Sequence, residues 1–278
     1  MMQMTNSDEL LGLTARWTAS VRALESTRAD CLFNDPWAAG LAGQEGQAWI
    51  EQRSAESVVP MIIRTRYFDD FLQRITGQEE IRQVVLVGAG LDTRAFRLSW
   101  PEKTRLFELD QPSVLAYKEQ FLQAVGVRPR CERQAVEVDL TISWQEVLLK
   151  GGFDPDDRSV WLLEGLLFYL SNDKIEQILA EVTGLAASGS WLGFDIINSV
   201  MLTYPLTRKW VKMQTEAGAP WIGTMDDPVG FLAERGWQAN LTQAGAADAN
   251  YGRWILPVIP TTMAEMPHNW YVTAQRVI

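Results

Sequence analysis

The chain has 278 residues, 47% of them hydrophobic, which is enough for one substantial core and does not require two. Its formal charge of -10, from 25 Lys+Arg against 35 Asp+Glu with no basic run, speaks against nucleic acid or an anionic membrane surface as partner. A single histidine, His268, and two distant cysteines, Cys31 and Cys131, argue against a His/Cys metal centre, and His268 has no nucleophile-elbow sequence to serve.

No apolar run approaches the ~18 residues of a membrane span. The start of the chain lacks the basic-then-apolar pattern of a signal peptide. A cytoplasmic protein with reduced cysteines is the expectation.

Residues 7–26 predict a helix, with Ser7 as cap and Leu10, Leu11, Leu13, Trp17, Val21 and Leu24 as its apolar stripe. Asn34-Asp35-Pro36-Trp37 predicts a turn into a short helix, with Pro36 in its first turn. Residues 51–75 predict a longer helix, which Pro60 should kink or begin. This helical segment, 1–80, precedes the first strand and is expected to be an addition, forming a lid or a substrate wall.

Residues 84–87 (Val-Val-Leu-Val) predict a strand buried on both faces. It runs into Gly88-Ala89-Gly90, where glycine permits positive φ and close ligand approach, and Asp92 or Thr93 is placed to cap the next helix. Further strands are expected at 104–109, 132–138, 159–163 and 190–197, with helices at 111–125, 143–150 and 172–187 between them. Such alternation implies a parallel sheet with right-handed crossovers. Residues 198–230 are broken by Pro205, Gly218, Pro220 and Gly223 and suggest a helical insertion, and 236–243 with 270–277 suggest a closing antiparallel pair. One domain is expected over 1–278, with its cofactor-binding core at 81–197 and its closing strands within 231–278.

Open parallel sheets bind ligands beyond the carboxyl ends of their strands. Each predicted strand end carries an acid: Glu108 and Asp110 on the second strand, Asp139 on the third, Glu164 on the fourth. An acid about 20 residues after the glycine turn suits two ribose hydroxyls, in NAD and S-adenosylmethionine alike. Asp139 and the Leu140 N–H suit an adenine edge, and Glu164 suits a cationic centre. Thr93 stands where a dinucleotide fingerprint wants a small residue, and Asp92 would repel a diphosphate. The set therefore favours a cationic cofactor over a dinucleotide, although any of these acids could also be a plain turn or cap residue. Arg64 and Arg66 are candidate carboxylate clamps, or else helix arginines paired with Asp69 or Asp70.

With these residues in view, the chain resembles the leucine carboxyl methyltransferase family of class I S-adenosylmethionine-dependent methyltransferases, and most closely its bacterial branch with polyketide carboxyl methyltransferases of the tetracenomycin type. The resemblance rests on Arg64-Thr65-Arg66-Tyr67-Phe68-Asp69-Asp70, Gly88-Ala89-Gly90-Leu91-Asp92-Thr93-Arg94, Phe107-Glu108-Leu109-Asp110-Gln111-Pro112, Val138-Asp139-Leu140 and Glu164-Gly165-Leu166-Leu167-Phe168-Tyr169-Leu170. It implies a Rossmann-like α/β fold, with a mostly parallel seven-stranded sheet and an antiparallel edge strand, and S-adenosyl-L-methionine as cofactor. It also implies that Arg64, and less so Arg66, holds the methionine carboxylate, that Gly88, Ala89 and Gly90 underlie the cofactor beside Asp92, and that Glu108 and Asp110 mark the ribose. Asp139 and Leu140 would flank the adenine, Glu164 would face the amino group or sulfonium, and Tyr169 would lie near the substrate.

A carboxylate acceptor is already ionised at neutral pH and needs no general base, which suits a chain with one histidine. A small-molecule acid is the expected substrate, with no metal. Twelve tryptophans would either wall an apolar site or fill the core of the additions. The competing readings are an NAD(P)-dependent oxidoreductase and a catalytically silent S-adenosylmethionine-binding protein.

Overall fold

A computed structural model describes the backbone of residues 7–278 and the side chains from residue 12 onward. The expected roles of Ser7, Leu10 and Leu11 lie outside the described side chains.

Seven strands form one sheet in the order β3-β2-β1-β4-β5-β7-β6. They are β1 Gln83–Val87, β2 Arg105–Asp110, β3 Glu132–Glu137, β4 Ser159–Leu163, β5 Trp191–Ile197, β6 Trp237–Gln243 and β7 Asn269–Arg276. The first five run parallel. β7 is antiparallel to both β5 and β6, so the reversed strand is one in from the edge and β6 is outermost. The order reverses between β1 and β4, and a crevice opens beyond the strand ends at that point.

The continuous apolar sequence of β1 is explained by the two layers it divides. Val85 and Val87 join Phe107, Leu109, Trp161 and Leu163 in one core. Val84 and Leu86 join Leu106, Val160 and Leu162 in the other. Both faces are covered, so neither parity of the strand can be polar.

The N-terminal segment holds α1 Ser7–Ser26, α2 Ala38–Ile50 and α3 Ala55–Gln78. Pro36 stands before α2, whose cap residue is Trp37, rather than in its first turn. α3 begins ahead of Pro60, which costs it one intrahelical bond. α3 is no appendage: Ile63, Phe68, Phe71, Leu72 and Ile75 are buried against the sheet and form part of the second core. Each such burial contributes about 1.5–3 kcal/mol. The part that reaches over the crevice is α1 with α2. Gly90 lies so close to α1 that a Cβ there would meet the Ala15 Cβ at 3.2 Å.

Between the strands run α4 Arg94–Arg97, α5 Pro112–Ala124, α6 Gln145–Lys150 and α7 Asn172–Leu185. The insertion after β5 comprises α8 Val200–Thr203 and α9 Arg208–Glu216, followed by α10 Pro228–Ala233 before β6. Cys31 and Cys131 are free and half-buried. Among the described residues, no helix is long and apolar enough to cross a membrane.

Candidate active site

The glycine turn is built by its hydrogen bonds to β2. Gly88 (φ +70) and Ala89 both donate their N–H to the Leu109 carbonyl, at 2.9 and 3.0 Å. Gly90 (φ +50) donates to Asp110 Oδ2 at 2.6 Å. Arg94, at the start of the following helix, donates its N–H to Asp92 Oδ1 at 2.6 Å. These four N–H donors are thus already committed, and α4 is a single turn. This geometry is not an anion nest.

A cavity of about 190 Å³ opens over this turn. Arg64, Gly88, Ala89, Gly90, Asp92, Asp110, Asp139, Leu140, Glu164 and Tyr169 all line it. Trp17 and Trp49, stacked at 5.2 Å, close it from the side of α1 and α2.

Two of the expected residues are elsewhere. Glu108 is fully buried and does not reach the cavity. It sits one pleat repeat short of the strand end, on the face covered by α5, and pairs there with Lys118 Nζ at 2.6 Å and Arg133 Nη2 at 2.7 Å. Asp110, two residues on, clears the helix and faces the crevice. Arg66 lies about 200° round α3 from Arg64. It pairs with Asp70 at 2.9 Å and donates to the Leu32 carbonyl, away from the cavity. Arg66→Ala is therefore expected to leave cofactor affinity within about twofold and stability within about 1 kcal/mol, the usual range for a half-exposed pair. Calorimetric titration and chemical denaturation check this.

A buried ionic network carries the rest of the site. Arg64 donates from Nε to Glu164 at 3.1 Å and from Nη1 to Asp195 at 2.9 Å. Arg94 joins Asp69 (2.7 Å), Asp92 (2.6 Å) and Glu164 (2.7 Å), and Arg97 takes the remaining side of Asp69. Arg22 of α1 pairs with Asp35, to which Thr93 also donates, and reaches the Leu91 carbonyl. Four arginines thus face six carboxylates: Asp35, Asp69, Asp92, Asp110, Glu164 and Asp195. The neighbouring Lys118, Arg133, Glu108 and Glu119 balance one another. The site carries a surplus of negative charge.

Burial sets the protonation of these groups, with the arginines working against it. Burial disfavours the Asp92 carboxylate, but Arg94, with Lys118, Arg97 and Arg22 behind it, outweighs burial and holds its pKa down at about 2. Burial pushes Asp195 above the ordinary carboxylate value against the pull of Arg64 and the Gly165 N–H. Asp110 is likewise raised by burial, and the Gly90 and Gln111 N–H groups reverse only part of the rise. The exposed Asp139 is lowered by its two hydrogen bonds from Thr141. Burial moves the Tyr169 phenol up to about 12, so it is a donor and not a base.

Three structural facts test whether a sulfonium cofactor suits these walls. Glu164 Oε2 is buried and close to Arg94, yet it lacks an aligned hydrogen-bond donor among the described residues. Arg94 is its cation, and its other lone pair stays open to a second one. Gln111 Oε1, also on the cavity wall, is another buried acceptor with no partner there. Finally, a Cβ at Gly88 would press on Leu166 at 3.1 Å, so only glycine keeps the floor this low. A cation with hydroxyls fits this set; a diphosphate does not.

Comparison with known proteins agrees. A family model described as leucine carboxyl methyltransferase matches residues 15–183. The chain belongs to that family. A relative from Parafrankia sp. is 37% identical over 96% of this chain and 88% of its own length, and one from Saccharopolyspora erythraea is 39% identical over 87% and 88%. Both are named as S-adenosyl-L-methionine-dependent methyltransferases. In fold, the chain is similar to the crystal structure of a DUF574 family protein from Streptomyces avermitilis, with TM-score 0.61, 15% identity and coverage of 95% and 97%. It is also similar to that of a protein from Thermobifida fusca described as a methyltransferase, with TM-score 0.56, 15% identity and coverage of 95% and 94%. The family is one of S-adenosylmethionine-dependent methyltransferases, so the oxidoreductase reading falls.

Sequence reasoning assigned no role to Arg94, Asp195 or Gln111. Asp195 carried a signal nonetheless: it is the one ionisable residue in the otherwise apolar strand Trp-Leu-Gly-Phe-Asp-Ile-Ile. A carboxylate in such a strand needs a buried partner, and Arg64 is that partner. Arg94 carried no comparable signal, because one arginine after a turn is ordinary.

His268, set aside as a catalytic base, is buried away from the cavity. Its ring nitrogens lie 2.9 Å from Gln243 Oε1 and 3.0 Å from the Met263 carbonyl, and it stacks on Trp270.

Proposed function

We propose that this methyltransferase transfers the methyl group of S-adenosylmethionine to a carboxylate oxygen of a small-molecule acid. The observation that carries the cofactor half is the pairing of a spent glycine turn with a surplus of buried carboxylate around the cavity. A ligand with a sulfonium and an ammonium relieves that surplus, and a dinucleotide adds to it.

The roles then follow from position. Asp110 holds the ribose hydroxyls with the lone pairs its two backbone donors leave free. Glu164 Oε2 takes the ammonium. Arg64, with Nε and Nη1 committed, offers Nη2 beside Gly165 to the methionine carboxylate. Asp139 and the Leu140 N–H flank the adenine, and Gly88 to Gly90 lie beneath the cofactor. Tyr169 orients the acceptor by donating its phenolic hydrogen.

The acceptor half is supported by what the walls lack. No histidine faces the cavity among the described residues, and the aspartates and glutamates near it are tied to arginines or backbone N–H groups. The cofactor supplies a methyl on sulfur: the O–C bond forms as the C–S bond breaks, and the electron pair leaves on sulfur. With a carboxylate acceptor no proton has to be moved, so alignment and exclusion of water suffice.

The test has two parts. Calorimetry is expected to show binding of S-adenosylmethionine and S-adenosylhomocysteine and none of NADH. With radiolabelled donor and a panel of acids and phenols, the label should enter products that release methanol in mild alkali, as esters do. Label found only in alkali-stable ethers would refute the carboxylate assignment, and NADH binding without a response to the sulfonium ligand would refute the cofactor assignment.

A further inference from the structure

Behind the cofactor cavity lies a second chamber of about 240 Å³. The two share Met61, Arg64, Phe168, Gln214 and Trp221 as a common wall. The second is built by the start of α3, by α8 and α9 of the insertion, and by the loop between β6 and β7, with Pro60, Met201, Trp210, Met213, Trp254 and Pro257 among its walls.

Its chemistry differs from that of the first. The ionisable side chains on its lining are Glu56, which is exposed, and Arg64. On Arg64, Nε and Nη1 are taken by Glu164 and Asp195, and the remaining Nη2 is the one assigned to the cofactor carboxylate. Among the described residues the chamber therefore offers no free cation. A second carboxylate or a phosphate lodged there would be buried beside a network already in negative surplus.

The chamber is not without polar atoms. Three of its residues have a buried polar atom with no hydrogen-bond partner among the described residues: Trp254 Nε1, Gln214 Oε1 and Asn269 Oδ1. One is a donor and two are acceptors, and all are uncharged. Buried polar groups left unmatched in this way are few in folded proteins and call for a partner. A ligand hydroxyl, which both donates and accepts, satisfies one of each kind.

We propose that this chamber is the acceptor site, and that it takes the apolar body of a compact hydroxylated monocarboxylic acid of about one to two rings, in keeping with a volume near the small end of ligand pockets. The single carboxylate lies at the shared wall, facing the cofactor cavity. The hydroxyl lies among the tryptophan and amide groups, and no second charge is accepted. This inference rests on the methyl-transfer reading above.

Binding of three probes to the full-length protein in the presence of S-adenosylhomocysteine tests it: 6-hydroxy-2-naphthoic acid, 2-naphthoic acid and 2,6-naphthalenedicarboxylic acid. The hydroxy acid is expected to bind most tightly. Loss of one hydrogen bond should weaken the plain acid about 3- to 10-fold, and the second charge should weaken the diacid about 100-fold. Met201→Trp and Met213→Trp, which fill the chamber from two different helices, should each weaken the hydroxy acid about tenfold or more. Trp254→Phe, which removes one donor, should reduce the preference for the hydroxyl. S-adenosylhomocysteine affinity reports whether each variant is folded.

Equal affinity for the diacid, insensitivity to both filling variants, or competition between the hydroxy acid and S-adenosylhomocysteine would each overturn the proposal. Failure of the wild-type protein to bind S-adenosylhomocysteine would overturn the methyl-transfer reading and with it the acceptor role. An acid that still bound, and was still displaced by Met201→Trp, would mark the chamber as a site of another kind.

Discussion

Glu108→Ala is expected to lower the unfolding free energy by about 3–5 kcal/mol, the usual cost of stranding one member of a buried ion pair. Glu108 and Lys118 are both fully buried, with the Lys118 Nζ 2.6 Å from Glu108 Oε2, and Arg133 shares the same oxygen. Removing the carboxylate leaves the buried Lys118 ammonium without the one carboxylate that it touches. Leu122, one turn further along α5, and Leu106, on the same face of β2 as Glu108, are apolar and cannot replace water as its partner. Glu108→Gln keeps the volume and one acceptor and should cost less. Because Glu108 does not line the cavity, the cofactor affinity of the folded fraction should stay within about twofold in either variant. Denaturant unfolding and calorimetry on the same preparations check both halves. A loss of affinity without a loss of stability would return Glu108 to the ribose site where sequence reasoning placed it.

That misplacement shows where a sequence stops being informative. The parallel sheet, the glycine turn and the acids at strand ends follow from local pattern, since strand periodicity and glycine spacing are short-range properties. Which of two acids two residues apart reaches a crevice is not local. Glu108 and Asp110 lie on the same face of β2, and only the point at which α5 ceases to cover that face separates them. Arg64 and Arg66 pose the same problem on a helix: the spacing puts them on opposite faces, but the sequence does not say which face meets the sheet. The resemblance rests on both arginines of Arg-Thr-Arg, whereas the structure brings only Arg64 to the cavity.

The segment before β1 is the other instructive case. A doubly wound domain normally opens on a strand, so residues 1–80 look like an appendage in sequence. In the fold, α3 supplies a layer of the core, with Phe68 and Leu72 fully buried. Its apolar residues carry no label that distinguishes a core helix from a lid helix. The tryptophans divide in the same way. Trp237 and Trp270 fill the core, Trp17 and Trp49 wall the cofactor cavity, and Trp210 and Trp254 wall the second chamber.

Asp110→Ala is expected to weaken S-adenosylhomocysteine binding about 10- to 100-fold, the range for losing a hydrogen bond to a charged group together with a prearranged backbone. The carboxylate does two jobs. Its Oδ2 fixes the Gly90 N–H at 2.6 Å and its Oδ1 fixes the Gln111 N–H at 2.7 Å, so the glycine turn and the start of α5 are both held from one side chain. The remaining lone pairs face the cavity. Ribose hydroxyls donate to the ionised form, and a proton on either oxygen removes an acceptor. Burial raises the Asp110 pKa above the ordinary carboxylate value, against the pull of its two N–H donors. The affinity should therefore be highest at neutral pH and above, and should fall as pH drops toward that raised pKa, earlier than for a carboxylate of ordinary pKa near 4. Asp110→Asn keeps one oxygen acceptor and cannot titrate. Its affinity should be reduced at neutral pH, and its acid-side fall should be shallower than that of the wild type. Asp195 also has a raised pKa, but it is bound to Arg64 and the Gly165 N–H and does not line the cavity. If Asp195 were the group responsible, Asp195→Asn would flatten the profile and Asp110→Asn would leave it unchanged. Affinity measured from pH 8 down to the onset of acid unfolding in these three proteins separates the two carboxylates.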